Sequence, residues 1–209
     1  MALAALAIVA TTPASALDFR LQKIKVDDCT RDCPHVIVAS GAIYLDDYKR
    51  LMNLLAQSEE KRILSVMVID SPGGQAGGGF RLAFLARHFK LTVLVGRPRG
   101  ETAFISGRCH SACTFVLSGG TRRIVLPGSE VAVHWGKEPP PTFDPVTKGF
   151  MERPKLDDDA MATGFRQFFR SMGVSTKIVD LMRKTPFNEG RTLTPKELRA
   201  LRLATHTKL

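Results

Sequence analysis

The run Ile63 to Ile69 (ILSVMVI) constrains the fold more than any other stretch of the chain. A strand this uniformly apolar has no face to offer water, so it belongs inside a sheet covered on both sides, as parallel sheets are. It stops abruptly at Asp70-Ser71-Pro72-Gly73-Gly74, with Gly77, Gly78 and Gly79 close behind. An amphipathic pattern follows, with Phe80, Phe84 and Leu85 on one side and Arg81, Arg87 and His88 elsewhere. Buried strand, glycine-rich turn and helix make one βα unit, and Leu91 to Val95 (LTVLV) supplies the next strand.

The rest of the chain continues this alternation. His35 to Ile43 (HVIVASGAI) reads as a strand ending near Gly41. Leu45 to Lys61 reads as a helix, with Leu45, Tyr48, Leu51, Met52, Leu55 and Ala56 at helical spacing. After a polar loop, Ser111 to Leu117 is short and apolar enough for a buried helix. Ile124 to Leu126 and Val131 to His134 read as brief strands split by Pro127-Gly128. Lys137 to Asp159, containing Pro139-Pro140-Pro141, reads as a mobile loop. Asp158 to Ser171, Thr176 to Arg183 and Pro195 to Leu203 read as closing helices. Thr194, with Glu197 three residues on, has the spacing of a capping box for the last. The expected fold is α/β: stacked βαβ units, a mostly parallel sheet and C-terminal helices. The 209 residues suit one such domain, and no repeat or low-complexity tract divides them.

The N-terminus reads as an address. Met1 to Ala10 (MALAALAIVA) is apolar, and Ala14-Ser15-Ala16 follows with the A-x-A spacing of a signal-peptidase site. The expectation is cleavage after about Ala16, leaving a domain over residues 17–209 in the periplasm. No run of 18 apolar residues marks a membrane span, so no stable membrane insertion is expected after cleavage. Cys29, Cys33, Cys109 and Cys113 form two C-x3-C pairs, and an even set in an oxidising compartment favours disulfides over zinc. Spacing leaves the pairing open. A Cys109–Cys113 bridge would require a non-helical first half, because i,i+4 Cβ atoms on a regular helix sit about 5–6 Å apart against about 3.8 Å in a disulfide. No metal and no cofactor is expected.

The net charge of +10 admits nucleic acid as a partner but does not select it. With twelve Phe, two Tyr and one Trp, no alternation of basic and aromatic residues appears, and nucleic-acid binding is not expected.

Three segments carry residue types that packing alone does not require. Ser71-Pro72-Gly73-Gly74 ends a buried strand, where glycines let backbone N–H groups face a crevice and hold a developing oxyanion. Gly107-Arg108-Cys109-His110-Ser111-Ala112-Cys113 opens an apolar helix, so Ser111 reads as an N-cap or as a nucleophile with the Ala112 N–H beside it. Val131-Ala132-Val133-His134-Trp135-Gly136 is a short strand ending in a histidine. His110 is adjacent to Ser111, and because neighbours in sequence point different ways it is a poor base for it unless the turn is unusual.

Taken in order, these segments resemble the ClpP family of serine peptidases, within the ClpP/crotonase fold. The likeness runs from about Ile63 to His134: the SPGG loop with Gly79 beyond it, the G-x-x-x-S segment Gly107 to Ser111, the apolar helix after it, and Arg123 to His134 (RIVLPGSEVAVH). The resemblance implies Ser111 as nucleophile and His134 as general base. It implies backbone N–H groups of Gly73 and Ala112, with Gly74 adjacent, as the oxyanion hole. For the third member the family has an Asp where this chain has Gly190; Asn188, Glu189 and the more remote Asp180 are the alternatives. Cys113 also stands where the family prefers a small residue.

The implied function is a periplasmic serine-type peptidase, a hydrolase acting on extended polypeptide. The alternative is an inactive ClpP-like scaffold that binds peptide or an envelope partner. An acyl-CoA enzyme of the crotonase type fits poorly, because a Ser–His pair is not that chemistry. The family also implies self-association. The Pro139–Pro141 insertion after His134 points to a smaller homo-oligomer or a monomer rather than a ring.

Overall fold

The apolar run is the middle of a sheet. A computed structural model describes residues 16–26, 29, 33–136, 142–144, 149–151, 157–206 and 209. The expected leader therefore lies outside the described residues except for Ala16, which bridges Ala42, while Leu17 is wholly buried.

The chain runs β1 (Asp18–Lys23), β2 (His35–Ser40), α1 (Asp47–Ala56), β3 (Ile63–Asp70), α2 (Ala76–His88), β4 (Thr92–Val95), β5 (Arg97–Arg99), β6 (Ala103–Ile105), β7 (Arg108–His110), α3 (Cys113–Gly119), β8 (Arg122–Val125) and β9 (Glu130–Val133). It continues through β10 (Thr142–Asp144), β11 (Gly149–Met151), α4 (Asp158–Ser171), α5 (Lys177–Arg183), β12 (Arg191–Thr192) and α6 (Pro195–Ala200). The main sheet has the order β1-β2-β3-β4-β8. Strands β2, β3, β4 and β8 are parallel, and β1 is an antiparallel edge. A second sheet, β12-β9-β7, pairs β7 with β9 in parallel and β12 with β9 antiparallel.

Several elements were not visible in the sequence. The polar loop after β4 folds into the β5–β6 hairpin and β7. The stretch expected to be a loop holds the β10–β11 hairpin, with its remaining residues up to 156 outside the described ones. Helix α3 begins at Cys113 rather than Ser111, and α6 ends at Ala200. The capping box on α6 forms as expected, with Thr194 accepting from the Glu197 N–H and Glu197 accepting from the Thr194 N–H.

Helices α2, α3 and α4 pack through an aromatic cluster in which Phe80 and Phe115 lie 4.4 Å apart and Phe80 and Phe168 lie 4.7 Å apart. The approach of α2 to α3 needs a glycine, since a Cβ on Gly79 would sit 2.5 Å from the Ala112 carbonyl oxygen. At the other end of these helices the buried Arg123 guanidinium donates to the carbonyls of Arg202 at 2.8 Å, Gly120 at 3.0 Å and Met172 at 3.3 Å. One cation thereby closes the C-terminal ends of three helical segments, whose dipoles favour positive charge. Burial, and then the neighbouring Arg87 and Arg202 cations, lower its pKa to about 10.

Candidate active site

The two sheets meet where the chemistry was expected. Beyond β3, Ser71 bridges Cys109 of β7: the Ser71 N–H donates to the Arg108 carbonyl at 2.7 Å, and the His110 N–H donates to the Ser71 carbonyl at 3.1 Å. Asp70 reinforces the junction by accepting the Arg108 N–H at 2.6 Å. On its other side the glycine loop is tied to Ile43, whose N–H donates to the Gly73 carbonyl at 2.8 Å. The loop is thus a strap between Ile43 and β7.

That strap decides which way its amides point. In a planar trans peptide the C=O and the following N–H point in opposite directions. Because the Gly73 carbonyl points at Ile43, the Gly74 N–H points away from Ile43. The same reasoning applies to α3: the Ser111 carbonyl accepts from the Thr114 N–H at 2.9 Å and from Thr114 Oγ1 at 2.7 Å, so the Ala112 N–H is turned away from the helix. Neither N–H makes a hydrogen bond among the described residues. The Gly73 N–H, by contrast, donates to the buried Ser71 hydroxyl at 3.1 Å. Of the two loop amides named from the sequence, Gly74 has the open donor, while Gly73 brings its backbone against Ser111. A Cβ on Gly73 would lie 2.7 Å from Ser111 Cβ.

Ser111 and His134 leave adjacent parallel strands. Cys109 is in register with Val131 and His110 with Ala132, and the Ser111 N–H donates to the Ala132 carbonyl at 2.9 Å. Ser111 then takes a left-handed backbone, φ +52°. Both residues are half-buried. No hydrogen bond joins the Ser111 hydroxyl to the His134 ring among the described residues.

The ring of His134 is held from behind. Its Nδ1 lies 2.6 Å from the carbonyl oxygen of Trp135. A carbonyl only accepts, so Nδ1 carries a proton, and in the neutral ring Nε2 is then the nitrogen with the lone pair. Trp135 is itself anchored: its N–H donates to the Thr185 carbonyl at 2.8 Å, its indole donates to Asp158 at 2.9 Å, and Arg183 lies over its ring. Phe187 presents its ring edge-on to His134, with centroids 4.8 Å apart.

The position where an acid was expected is open. Arg191 pairs with Val133 as the last pair of the antiparallel β12–β9 ladder, so Gly190 and His134 each lie one residue beyond that pair. Gly190 has φ +53°, and a Cβ there would meet nothing within 4 Å. Asn188 and Glu189 are exposed. Asp180 pairs with Arg166 at 2.7 Å, and among the described residues no hydrogen bond joins it to the imidazole. The His110 Nε2 lies 3.4 Å from a Glu130 carboxylate oxygen, and among the described residues no hydrogen bond joins His110 to the Ser111 hydroxyl. No reasoning from side chains could have found the group behind His134, because it is a backbone carbonyl.

The cysteines pair locally, Cys29 with Cys33 and Cys109 with Cys113. Among the described residues no cluster of His, Cys, Asp and Glu could hold a metal ion, and no helix is long and apolar enough to cross a membrane. A cavity of about 320 Å³ between the Val125–Ser129 turn and α6 is lined by Leu126, Leu193 and Leu198 but by neither Ser111 nor His134.

The architecture is that of a ClpP-like peptidase fold, mixed α/β around a parallel sheet. Two solved structures of the membrane-bound stomatin-specific protease 1510-N show the likeness. A serine-to-alanine mutant matches with TM-score 0.54 at 14% identity, covering 86% of this chain and 81% of that one. A lysine-to-alanine mutant in complex with a substrate peptide matches with TM-score 0.53 at 16% identity, covering 82% and 73%. Neither the protein-family models nor the curated proteins gave a match to the sequence.

Proposed function

We propose that this protein is an exported serine hydrolase acting on extended polypeptide, with Ser111 as nucleophile and His134 as general base. The observation that carries this reading is the left-handed turn at Ser111, set between the end of the His134 strand and two unengaged amides, those of Gly74 and Ala112. In the reaction, His134 Nε2 takes the hydroxyl proton as Ser111 Oγ attacks the scissile carbonyl. The Gly74 and Ala112 N–H groups donate to the oxyanion, each such donor being worth about 2.7–4 kcal/mol in the transition state. His134 then gives its proton to the leaving amine, and water releases the acyl group by the same steps reversed. The Trp135 carbonyl takes the orienting part that a carboxylate plays in a triad, without the negative charge that would stabilise an imidazolium, so a slow enzyme is expected. A peptide as ligand agrees with the substrate peptide bound to the 1510-N neighbour. Export is supported by the apolar leader and the paired cysteines. The resemblance gave Gly73 as an oxyanion donor; its N–H is instead held by the Ser71 hydroxyl at 3.1 Å, so in this reading the neighbouring Gly74 is the donor.

A second reading, a scaffold that binds peptide without turnover, is favoured by the absence of a Ser111–His134 hydrogen bond among the described residues. Incubation with an unfolded, disulfide-free polypeptide separates the two. Cleavage abolished by Ser111→Ala supports the hydrolase; intact polypeptide retained equally by wild type and Ser111→Ala supports the scaffold. N-terminal sequencing of protein from the periplasmic fraction tests export, with Leu17 as the expected first residue.

A further inference from the structure

We infer that the Cys109–Cys113 disulfide is a positioning element for the nucleophile, holding Ser111 in the left-handed backbone that aims its hydroxyl and the Ala112 N–H at one reacting carbonyl. Its effect on turnover rests on the hydrolase reading; its effect on the Ser111 backbone does not. Three non-glycine residues with positive φ occur among the described residues: Lys90, Ser111 and Arg202. Lys90 and Arg202 each follow a helix C-cap, where the Leu91 N–H reaches back to Ala86 and the Leu203 N–H to Leu198. Left-handed residues are ordinary at that position. Ser111 precedes a helix, so no helix end accounts for it.

The disulfide accounts for it. Cys109 is fixed in β7, paired with Val131 on one side and bridged to Ser71 on the other. Cys113 is the first residue of α3, and both cysteines are wholly buried. Four residues of extended strand would separate them by about 13 Å, yet their Cα atoms are 5.1 Å apart. The chain must reverse within His110, Ser111 and Ala112, and Ser111 is the residue that turns. The Ser111 N–H and carbonyl are each hydrogen-bonded, to Ala132 and Thr114, which fixes the flanking peptides. The bridge across them closes the turn.

The test uses the double variant Cys109→Ala/Cys113→Ala, with Cys29→Ala/Cys33→Ala as control. Three quantities are read: the Ser111 φ by NMR backbone couplings, the rate of labelling by a fluorophosphonate, and the thermal midpoint. The expected result is a folded variant whose Ser111 leaves positive φ and labels at least tenfold more slowly, while the control keeps both. Should the variant not fold, wild type reduced with dithiothreitol is read in the same way. Ser111 keeping its φ in either folded, unbridged form would overturn the proposal. Loss of fold in both would also overturn it, making the bridge a global staple. A φ that changes while no form of the protein labels would leave the positioning role standing and count against the hydrolase reading.

Discussion

Alanine at Gly73 is the most informative single perturbation of the site. At φ +96° an L-residue is strained whatever space surrounds it, at a cost of about 1–3 kcal/mol. Space is also lacking: the added Cβ would lie 2.5 Å from the His110 carbonyl oxygen and 2.7 Å from Ser111 Cβ. Both neighbours belong to the turn closed by the disulfide, so they cannot yield cheaply, and overpacking adds about 1–3 kcal/mol. Gly73→Ala should therefore cost about 2–6 kcal/mol, a fall in thermal midpoint of roughly 5–20 °C for a chain of this size. Part of the strain will be relieved by moving the strap. That movement carries the Gly74 N–H with it, and loss of one oxyanion donor lowers turnover by about 10²–10³. The assay is calorimetry together with fluorophosphonate labelling at a temperature where the variant is folded. A Gly73→Ala protein that melts and labels like wild type would refute the placement of the loop against Ser111.

Gly190→Asp should accelerate labelling of Ser111, because the position lies one residue beyond the Arg191–Val133 pair, as His134 does, is open, and has a backbone that Asp tolerates; a gain of tenfold or more is expected, and no gain would argue that Gly190 does not face the ring. Arg123→Met should lower stability by about 3 kcal/mol, since the Gly120 and Arg202 carbonyls lose their buried charged donor, measurable by urea denaturation with Ser111 labelling retained below the transition. The Glu197 carboxyl is held below its ordinary pKa first by the Thr194 N–H and hydroxyl and then by Arg191. A depressed carboxylate contributes stability that is present above its unfolded pKa and lost as pH falls through the folded value. Acid titration of wild type should thus lose more stability below about pH 4.3 than Glu197→Gln does, and equal losses would contradict the capping box.

Much of this was legible in the sequence, for reasons that differ by element. The strands β2, β3 and β4 announce themselves because their centres, Val36 to Ala39, Met67 to Ile69 and Val93 to Val95, are buried on both faces and so are apolar, and Thr194 and Glu197 announce α6 because capping is local chemistry. The short strands β7 and β12 do not, since they exist through pairing with distant residues and carry exposed or half-buried arginines; β5 and β6 form a local hairpin of three residues a side with largely exposed side chains, too short to show a period. Ser111 and His134 could be named, but their side-by-side exit from β7 and β9 depends on register. The pairing of Cys109 with Cys113 was conditional on a non-helical start, which the left-handed Ser111 supplies. The partner of His134 was out of reach, because every candidate considered was a side chain and the one found is the carbonyl of the next residue.

The central claim is that Ser111 attacks a carbonyl whose oxygen is received by backbone amides. A crystal structure of the fluorophosphonate-treated protein tests it most directly. The expected structure has phosphorus bonded to Ser111 Oγ, with the phosphoryl oxygen within about 2.7–3.1 Å of the Gly74 and Ala112 nitrogens and His134 Nε2 turned toward the adduct. An unmodified Ser111, or an adduct whose phosphoryl oxygen points to solvent away from both amides, would contradict it.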